Sequence, residues 1–505
     1  MKNHLYDALI GNKTEKDAIL LMAPDATTLS YGAMEQRVAQ FAAALVEAQA
    51  SKGDRIAVQV AKSQNALALY LACLRQGLVF VPLNTAYTAS EVAYFVENAE
   101  PSVIVVDPSA QEALSDLAED AGAKLFTMDE TGSGSFAAAA EAATATPAPA
   151  DCGPDDLACF LYTSGTTGRS KGAMLTHTNL LSNAETLART WHFSAEDRLL
   201  HALPIFHTHG LFVACNVLMF VGGSMIWLPS FKTEDVLAHL PTATTMMGVP
   251  TFYTRLLQSA AFDRQATEHI RLFTSGSAPL LAETYVQFST RTGHAILERY
   301  GMTETGINTS NPYEGERRPG TVGFPLDGIE VQIVDSDTRV PLEQGQTGMI
   351  EVRGPNVFKG YWRMPEKTAE ELHDDGFFIT GDLGLIDPDG YVTIVGRQKD
   401  LIITGGYNVY PKEVELVLDD QPGVIESAVI GVPHPDFGEA VVGIIVAADA
   451  SLDLQSVLSA VSGQLANYKR PKQLVLADAL PRNTLGKVQK NILREAHNAL
   501  FQAKD

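Results

Sequence analysis

Cysteine is scarce in this chain, and so is positive charge. The four cysteines, Cys73, Cys152, Cys159 and Cys215, are scattered over 505 residues with no C-x-x-C pair. That spacing argues against a disulfide framework or a zinc motif and fits a reducing compartment. Lys and Arg number 37 against 60 Asp and Glu, a formal net charge of -23. Such a field repels polyanions, so nucleic acid is not an expected partner. Long apolar runs are missing too: nothing approaches the roughly 18 apolar residues of a membrane span, so no membrane partner is expected. Residues 1–21, MKNHLYDALIGNKTEKDAILL, carry charges throughout and lack the apolar core of a signal peptide. The expected location is the cytoplasm.

What is present is a globular composition, 46% hydrophobic and 19% charged. The length suggests about three domain-sized units. In the first half, helical periodicity (MEQRVAQFAAALVEA) alternates with short apolar strands (DRIAVQVAK, PSVIVVDP), the pattern of parallel sheets with crossover helices. The Ala- and Pro-rich stretch Phe136–Asp156 reads as a surface linker with little to pack. From about Asn311 the texture becomes β-rich, with Gly and Asp-Gly turns that suggest a small antiparallel sheet or barrel. After Arg397 a compact tail mixes helix and strand. The expected fold is α/β: a large N-terminal domain of doubly wound sheets, 1–396, with a small β-barrel-like subdomain at about 311–396. A small, mobile α+β C-terminal domain, 397–505, follows.

Four segments carry chemistry. Thr163, Ser164, Gly165, Thr166, Thr167 and Gly168 lead to Lys171 after an apolar strand. Glycines let backbone N–H groups approach phosphate oxygens, hydroxyls add rotating donors, and the lysine adds a point charge. The register is not that of a Walker loop. The segment LERYGMTETG offers Tyr300 for stacking, the Thr303 hydroxyl and the Glu304 carboxylate, whose oxygens suit Mg²⁺. Asp382 and Arg397 stand at turn positions, and a carboxylate there suits a ribose diol. Lys487 follows a glycine before a helical pattern. Singly, each has a plainer reading: a mobile polar loop, a turn with a solvated Glu, a β-turn residue, a surface lysine.

Their order is more specific. A Ser/Thr/Gly-Lys loop, Y-G-x-T-E, T-G-D, G-R-x-K-D and P-x-x-x-x-G-K follow one another along the chain. Over essentially its whole length the sequence resembles the adenylate-forming enzymes: acyl-CoA synthetases, adenylation domains and firefly luciferase. The resemblance implies that ATP and a carboxylic acid give an acyl-adenylate, which a thiol, usually that of CoA, then attacks. It implies phosphate contacts at Thr163–Lys171 and Mg²⁺ contacts at Thr163 and Glu304. Gly276, Ser277 and Ala278, with Tyr300, Gly301 and Met302, would frame adenine and the acyl pocket. Thr303 would meet the α-phosphate, Asp382 and Arg397 the ribose. It makes Lys487 the catalytic lysine, Lys399 the hinge of a rotating C-terminal domain, and Gly405, Gly406 and Tyr407 the loop that meets CoA. Lys487 is also the implied target of a lysine acetyltransferase.

The acid itself is suggested by charge. A fatty-acyl pocket should be apolar, yet Arg299 precedes the Y-G-M-T-E tyrosine and Arg255 lies in VPTFYTRLL. Two guanidiniums would suit a second carboxylate; the plainer reading pairs Arg299 with Glu298 and puts Arg255 on a surface helix. The segments PIFHTHGLF, VPTFYTRLLQS, ERYGMTET, NPYEGERRPGTVG and FKGYWRMPEKT resemble the malonyl-CoA synthetases of that family, which implies malonate, with methylmalonate secondary. His207 would contact substrate or gate its entry. A zinc site from His201, His207, His209 and Cys215 matches no known spacing. The alternatives are another short or medium acid, a carrier protein loaded in trans, an oxygen-using luciferase-like enzyme and a non-catalytic nucleotide sensor. The chain ends without a fused carrier, which favours free CoA.

Overall fold

The computed structural model describes residues 3–163, 170–405, 407–449, 452–483 and 486–501. Its contacts divide the chain into two compact units, Met1–Glu330 with Val352–Phe378, and Val331–Glu351 with Ile379–Asp505. The β-rich segment expected near 311–396 is thus shared between the two.

In the first unit one sheet runs through six strands among the described residues. Their order is Lys124–Thr127, Val103–Val106, Arg55–Gln59, Val79–Pro82, Leu157–Thr163 and Lys171–Thr176. Neighbours are parallel except for the last pair. Parallel strands covered on both faces need continuous apolar runs, and Val103–Val106 is buried at every position. The chain steps from Arg55–Gln59 to Val79–Pro82 on one side and returns to Val103–Val106 on the other, so the sheet is doubly wound. The crossover helix Gln64–Gln76 begins where the Ser63 side chain accepts from the Ala66 N–H and stops at left-handed Gly77.

The second sheet carries the strand ends that matter most here. Its nine described strands run Phe324–Pro325, Gly306–Ser310, Leu297–Met302, Leu272–Ser275, Thr245–Gly248, Arg198–His201, Ser224–Trp227, Ile19–Met22 and Thr28–Ser30. The five from Leu297–Met302 to Ser224–Trp227 are parallel, so their carboxyl ends emerge along one edge. Ligands of open α/β sheets bind at that edge.

Strands Glu330–Val334, Gly348–Arg353, Phe378–Ile386 and Val392–Arg397, which fall mainly in the second unit, form a four-stranded sheet in sequential order. The last two are antiparallel, joined through the Asp-Pro-Asp-Gly turn that ends at left-handed Gly390. Beyond them a sheet built on the long hairpin Val424–His434 and Gly438–Ala447 is α+β. Pro411–Asp419 and Leu454–Ser462 supply Val414, Leu418, Val457 and Val461 to one core. Lys490–His497 supplies Leu493 to another. No described helix is long and apolar enough to cross a membrane.

One expectation fails. Residues 136–156 are not all linker: Ser135–Ala142 is a helix, and Phe136 is fully buried with its ring edge-on to Phe41 and Phe126 at 5.0 and 5.5 Å. The low-complexity composition hid a single anchor. Phe136→Ala should therefore lower unfolding free energy by about 3–5 kcal/mol, the usual cost of deleting a buried aromatic. Chemical denaturation of the full-length protein reads it; a change no larger than that of an exposed Ala→Gly substitution in the same helix would contradict the packing.

Candidate active site

The strand Leu157–Thr163 folds back on Lys171–Thr176, with Thr163 paired to Lys171 at the open end. Ser164, Gly165, Thr166, Thr167 and Gly168 lie outside the described residues. Lys171 is buried, its ammonium 3.2 Å from each Glu371 oxygen and 4.1 Å from the centre of the Tyr361 ring. The Tyr361 hydroxyl donates to Glu371 Oε2 at 2.6 Å and lies 3.1 Å from Glu304 Oε1. Burial and the two carboxylates push the Tyr361 phenol far up, so it stays protonated. Burial also works to raise the Glu371 carboxyl, but the Tyr361 hydroxyl, Lys367 and Lys171 outweigh it and hold it below its ordinary value.

Glu304 sits in the turn between Leu297–Met302 and Gly306–Ser310, its side chain turned inward. The hairpin closes tightly: a Cβ on Gly301 would stand 2.0 Å from the Gly306 carbonyl, so only glycine fits. Tyr300 is buried, while Met302 and Thr303 are half-buried. Thr303 and Thr208 line one small cavity, which brings the loop after Arg198–His201 to this turn.

Arg299 is buried on the same strand as Tyr300. Its Nε and Nη2 have no hydrogen-bond partner among the described residues. Burial lowers its guanidinium to about 10, against the opposing pull of Tyr253. It packs so closely on Gly276 that a Cβ there would meet Cζ at 2.3 Å. It does not take its neighbour as partner: adjacent strand residues face opposite ways, and Glu298 Oε1 instead accepts from the Gly320 N–H at 3.0 Å. The next residue after Gly276, Ser277, is held at φ 70, a left-handed conformation costly for a non-glycine. Its hydroxyl lies 3.2 Å from His209 Nδ1. His209 Nε2 is buried without a partner. Burial first, then the charge of Arg299, keep this ring neutral. Thr208 Oγ1 and Ser275 Oγ are orphaned as well.

Arg255 departs from the expectation of paired guanidiniums. It is exposed on the helix Pro250–Leu257. Tyr253, two residues earlier and therefore about 200° around the helix, takes the buried face and donates to the Thr274 carbonyl at 2.5 Å. His209, not Arg255, is brought to Arg299. His207 is half-buried, with its carbonyl accepting from the Leu211 N–H.

Behind His209 lies a support that the sequence reading missed. Lys62 follows the first sheet's central strand and reaches His201, its Nζ 2.7 Å from His201 Nδ1, 2.8 Å from the His201 carbonyl and 4.3 Å from the centre of the Trp227 ring. Burial lowers this ammonium to about 7. His201 Nε2 is 2.8 Å from the Gly210 carbonyl, so the ring accepts from Lys62 and donates to the π-helical turn His209–Cys215 that carries His209. No spacing rule links Lys62 to His201; only the apposition of two sheets does.

In the second unit Asp382 is buried and faces Arg397 across its hairpin, Oδ1 to Nε 2.9 Å. Lys399 is exposed in the turn Gln398–Asp400, and Arg494 pairs with Asp400. Gly405 is left-handed; Gly406 lies outside the described residues. Tyr407 is 60% exposed and stacked on Tyr468. Lys487 is exposed beside left-handed Gly486, its N–H donating to Asn483 Oδ1 at 2.9 Å.

A buried lysine beside a hydroxyl-rich connection, a turn carboxylate and an edge of parallel strand ends are the elements of a nucleotide site. The AMP-binding enzyme family matches residues 10–362, and its C-terminal domain, that of AMP-binding enzymes, matches 413–487. The chain belongs to this family and is an AMP-forming acid–thiol ligase of the acyl-CoA synthetase class. The crystal structure of ATP-bound MatB from Rhodopseudomonas palustris is 53% identical, covers 99% of this chain and 100% of that one, and superposes with a TM-score of 0.98. A malonate–CoA ligase of Arabidopsis thaliana is 34% identical over 88% of this chain and 78% of its own length. A feruloyl-CoA synthase of an Amycolatopsis species is 36% identical over 93% and 94%.

The buried histidines make the fold sensitive to acid. Burial lowers His177 from 6.5 to about 4, and His201 and His209 lie well below their ordinary range. Between those values the unfolded chain takes up protons that the folded chain refuses, so stability is lost as pH falls from 6.5 towards 4. At pH 5 this costs roughly 2 kcal/mol for His177. Urea unfolding at pH 7.5 and pH 5 should show it, with His177→Gln losing about that much less than wild type. Equal losses in both proteins would contradict it.

Proposed function

We propose that the chain is an ATP-dependent malonyl-CoA synthetase, converting malonate, ATP and CoA to malonyl-CoA, AMP and diphosphate, with methylmalonate as a secondary substrate. The observation that carries this reading is Arg299: a buried guanidinium whose Nε and Nη2 have no hydrogen-bond partner among the described residues, beside the orphaned Nε2 of His209. Buried donors left unpaired cost free energy unless a ligand meets them. A carboxylate meets a guanidinium with two parallel hydrogen bonds. A mono-acid spends its one carboxylate on adenylation, so a second carboxylate has to come from a dicarboxylic acid. The malonate–CoA ligase named among the relatives supports the same reading.

One malonate carboxylate attacks the α-phosphorus, the bond to the β-phosphate breaks and diphosphate leaves. The CoA sulfur then attacks the acyl carbonyl, its proton passes to solvent, and AMP leaves. Thr163 and Lys171, with residues 164–168, hold the phosphates. Thr303 meets the α-phosphate, and Gly276, Ser277 and Ala278 with Tyr300, Gly301 and Met302 frame the adenine and acyl positions. Glu304 and Thr163 supply oxygens of the type Mg²⁺ takes, and the cation would offset charge on the nucleotide phosphates. Asp382 and Arg397 take the ribose; the Nε–Oδ1 contact between them leaves further carboxylate lone pairs and guanidinium donors for its hydroxyls. Lys487 offsets the repulsion between carboxylate and phosphate, and removal of such a charge costs about 10²–10³ in rate. The domain 397–505 turns about Lys399 between the steps, bringing Gly405, Gly406 and Tyr407 to CoA. Lys487 is exposed, as acetylation would require.

Acid-dependent AMP release should favour malonate over acetate and octanoate by at least about 10²-fold, the scale a hydrogen-bonding site reaches. Arg299→Ala should erase that lead. Octanoate or ferulate matching malonate would leave the ligase chemistry intact and overturn the dicarboxylate.

A further inference from the structure

We infer that Glu371 is a resident counter-anion of Lys171: it takes the place of the nucleotide phosphates before ATP binds and withdraws to Lys367 when ATP arrives. The inference rests on the reading of Lys171 as a phosphate ligand.

Lys171 poses a problem that its loop alone does not solve. Its side chain is 8% exposed, and an ammonium buried without an anion is expensive. Glu371 meets it symmetrically, both oxygens at 3.2 Å. Two oxygens on one centre are also what a phosphate group offers, so carboxylate and phosphate compete for one ammonium. Both cannot stay, because two anions would then be pressed together in a low-dielectric site.

The surroundings provide for the exchange. Lys367, one helical turn before Glu371, already lies 3.0 Å from its Oε1 and is more exposed than Lys171. Glu371 can therefore release Lys171 and keep a cation. It is also the last residue of the helix Pro365–Glu371, where the helix dipole disfavours a carboxylate. The Tyr361 ring remains under the Lys171 ammonium through the exchange, since its segment is fixed by the backbone. Phe358 N–H donates to the Glu304 carbonyl at 2.8 Å, Lys359 N–H to Met174 at 2.9 Å and Trp362 N–H to Gly172 at 2.8 Å. Only the Lys171 and Glu371 side chains need to move. Tyr361 has one hydroxyl proton and two carboxylates in reach, Glu371 at 2.6 Å and Glu304 at 3.1 Å. Once Glu371 leaves, that proton turns to Glu304, so Tyr361 is the positioning residue that couples the two acids.

The test compares equilibrium binding of ATP and of AMP, which lacks the outer phosphates, to the full-length protein. Glu371→Gln keeps the shape and an acceptor for Tyr361 but removes the charge. ATP should bind about three- to tenfold more tightly, with AMP unchanged. Lys367→Met, which removes the alternative cation, should weaken ATP by a similar factor and again leave AMP alone. ATP affinity unchanged or weakened in Glu371→Gln would overturn the inference and make Glu371 a fixed brace. Lys171→Met separates the two levels: if it does not weaken ATP, Lys171 is no phosphate ligand and the underlying reading falls instead.

Discussion

A guanidinium buried with two nitrogens unpartnered among the described residues is the constraint around which its neighbours are arranged. Arg299 gives up hydration worth several kcal/mol. The strand Leu297–Met302 fixes it inside the nine-stranded sheet, and Gly276 gives it room by having no side chain. His209 can stand beside it only as a neutral ring, which burial and the Arg299 charge both enforce. Lys62 and His201 then fix the turn that carries His209. The half-buried Arg317 is the contrast: its nitrogens donate to the carbonyls of Pro312, Ala295 and Tyr313, acceptors that Arg299 Nε and Nη2 lack.

Lys171 is the useful contrast. It too is buried, yet Glu371 faces it at 3.2 Å. The two buried cations therefore differ in how their charge is met. Lys171 has a carboxylate partner, which on the reading proposed above a phosphate would replace; Arg299 Nε and Nη2 have none among the described residues, and on that reading a carboxylate would supply the whole of their compensation. A chain with net charge -23 repels small anions at long range. Local, desolvated positive sites of this kind would bind them all the same, because there the surrounding field counts for less than contact geometry.

The sheet order and its helices were readable because buried parallel strands require apolar runs and helices require a 3.6-residue period; VIVV and NALALYLACL carry those signatures. Arg299 drew notice because its charge stood directly before the Y-G-M-T-E tyrosine, and the structure buries it there. Phe136 was not, because one aromatic among alanines leaves no periodic signal. Arg255 looked equivalent to Arg299 in sequence, but helix geometry turns it away from the face that Tyr253 buries. Lys62, His201 and Glu371 were invisible for a different reason. Their partners lie 139 and 200 residues away in the chain, and only the packing of distant elements, a strand end for Lys62 and a helix end for Glu371, brings them together.

The most direct measurement is calorimetric titration of malonate and of acetate into protein loaded with an ATP analogue that cannot be cleaved between the α- and β-phosphates. Malonate should bind measurably more tightly than acetate, and Arg299→Leu should bring the two level without altering affinity for the nucleotide. Malonate and acetate binding alike to the wild-type protein would contradict the role given to the unpaired guanidinium.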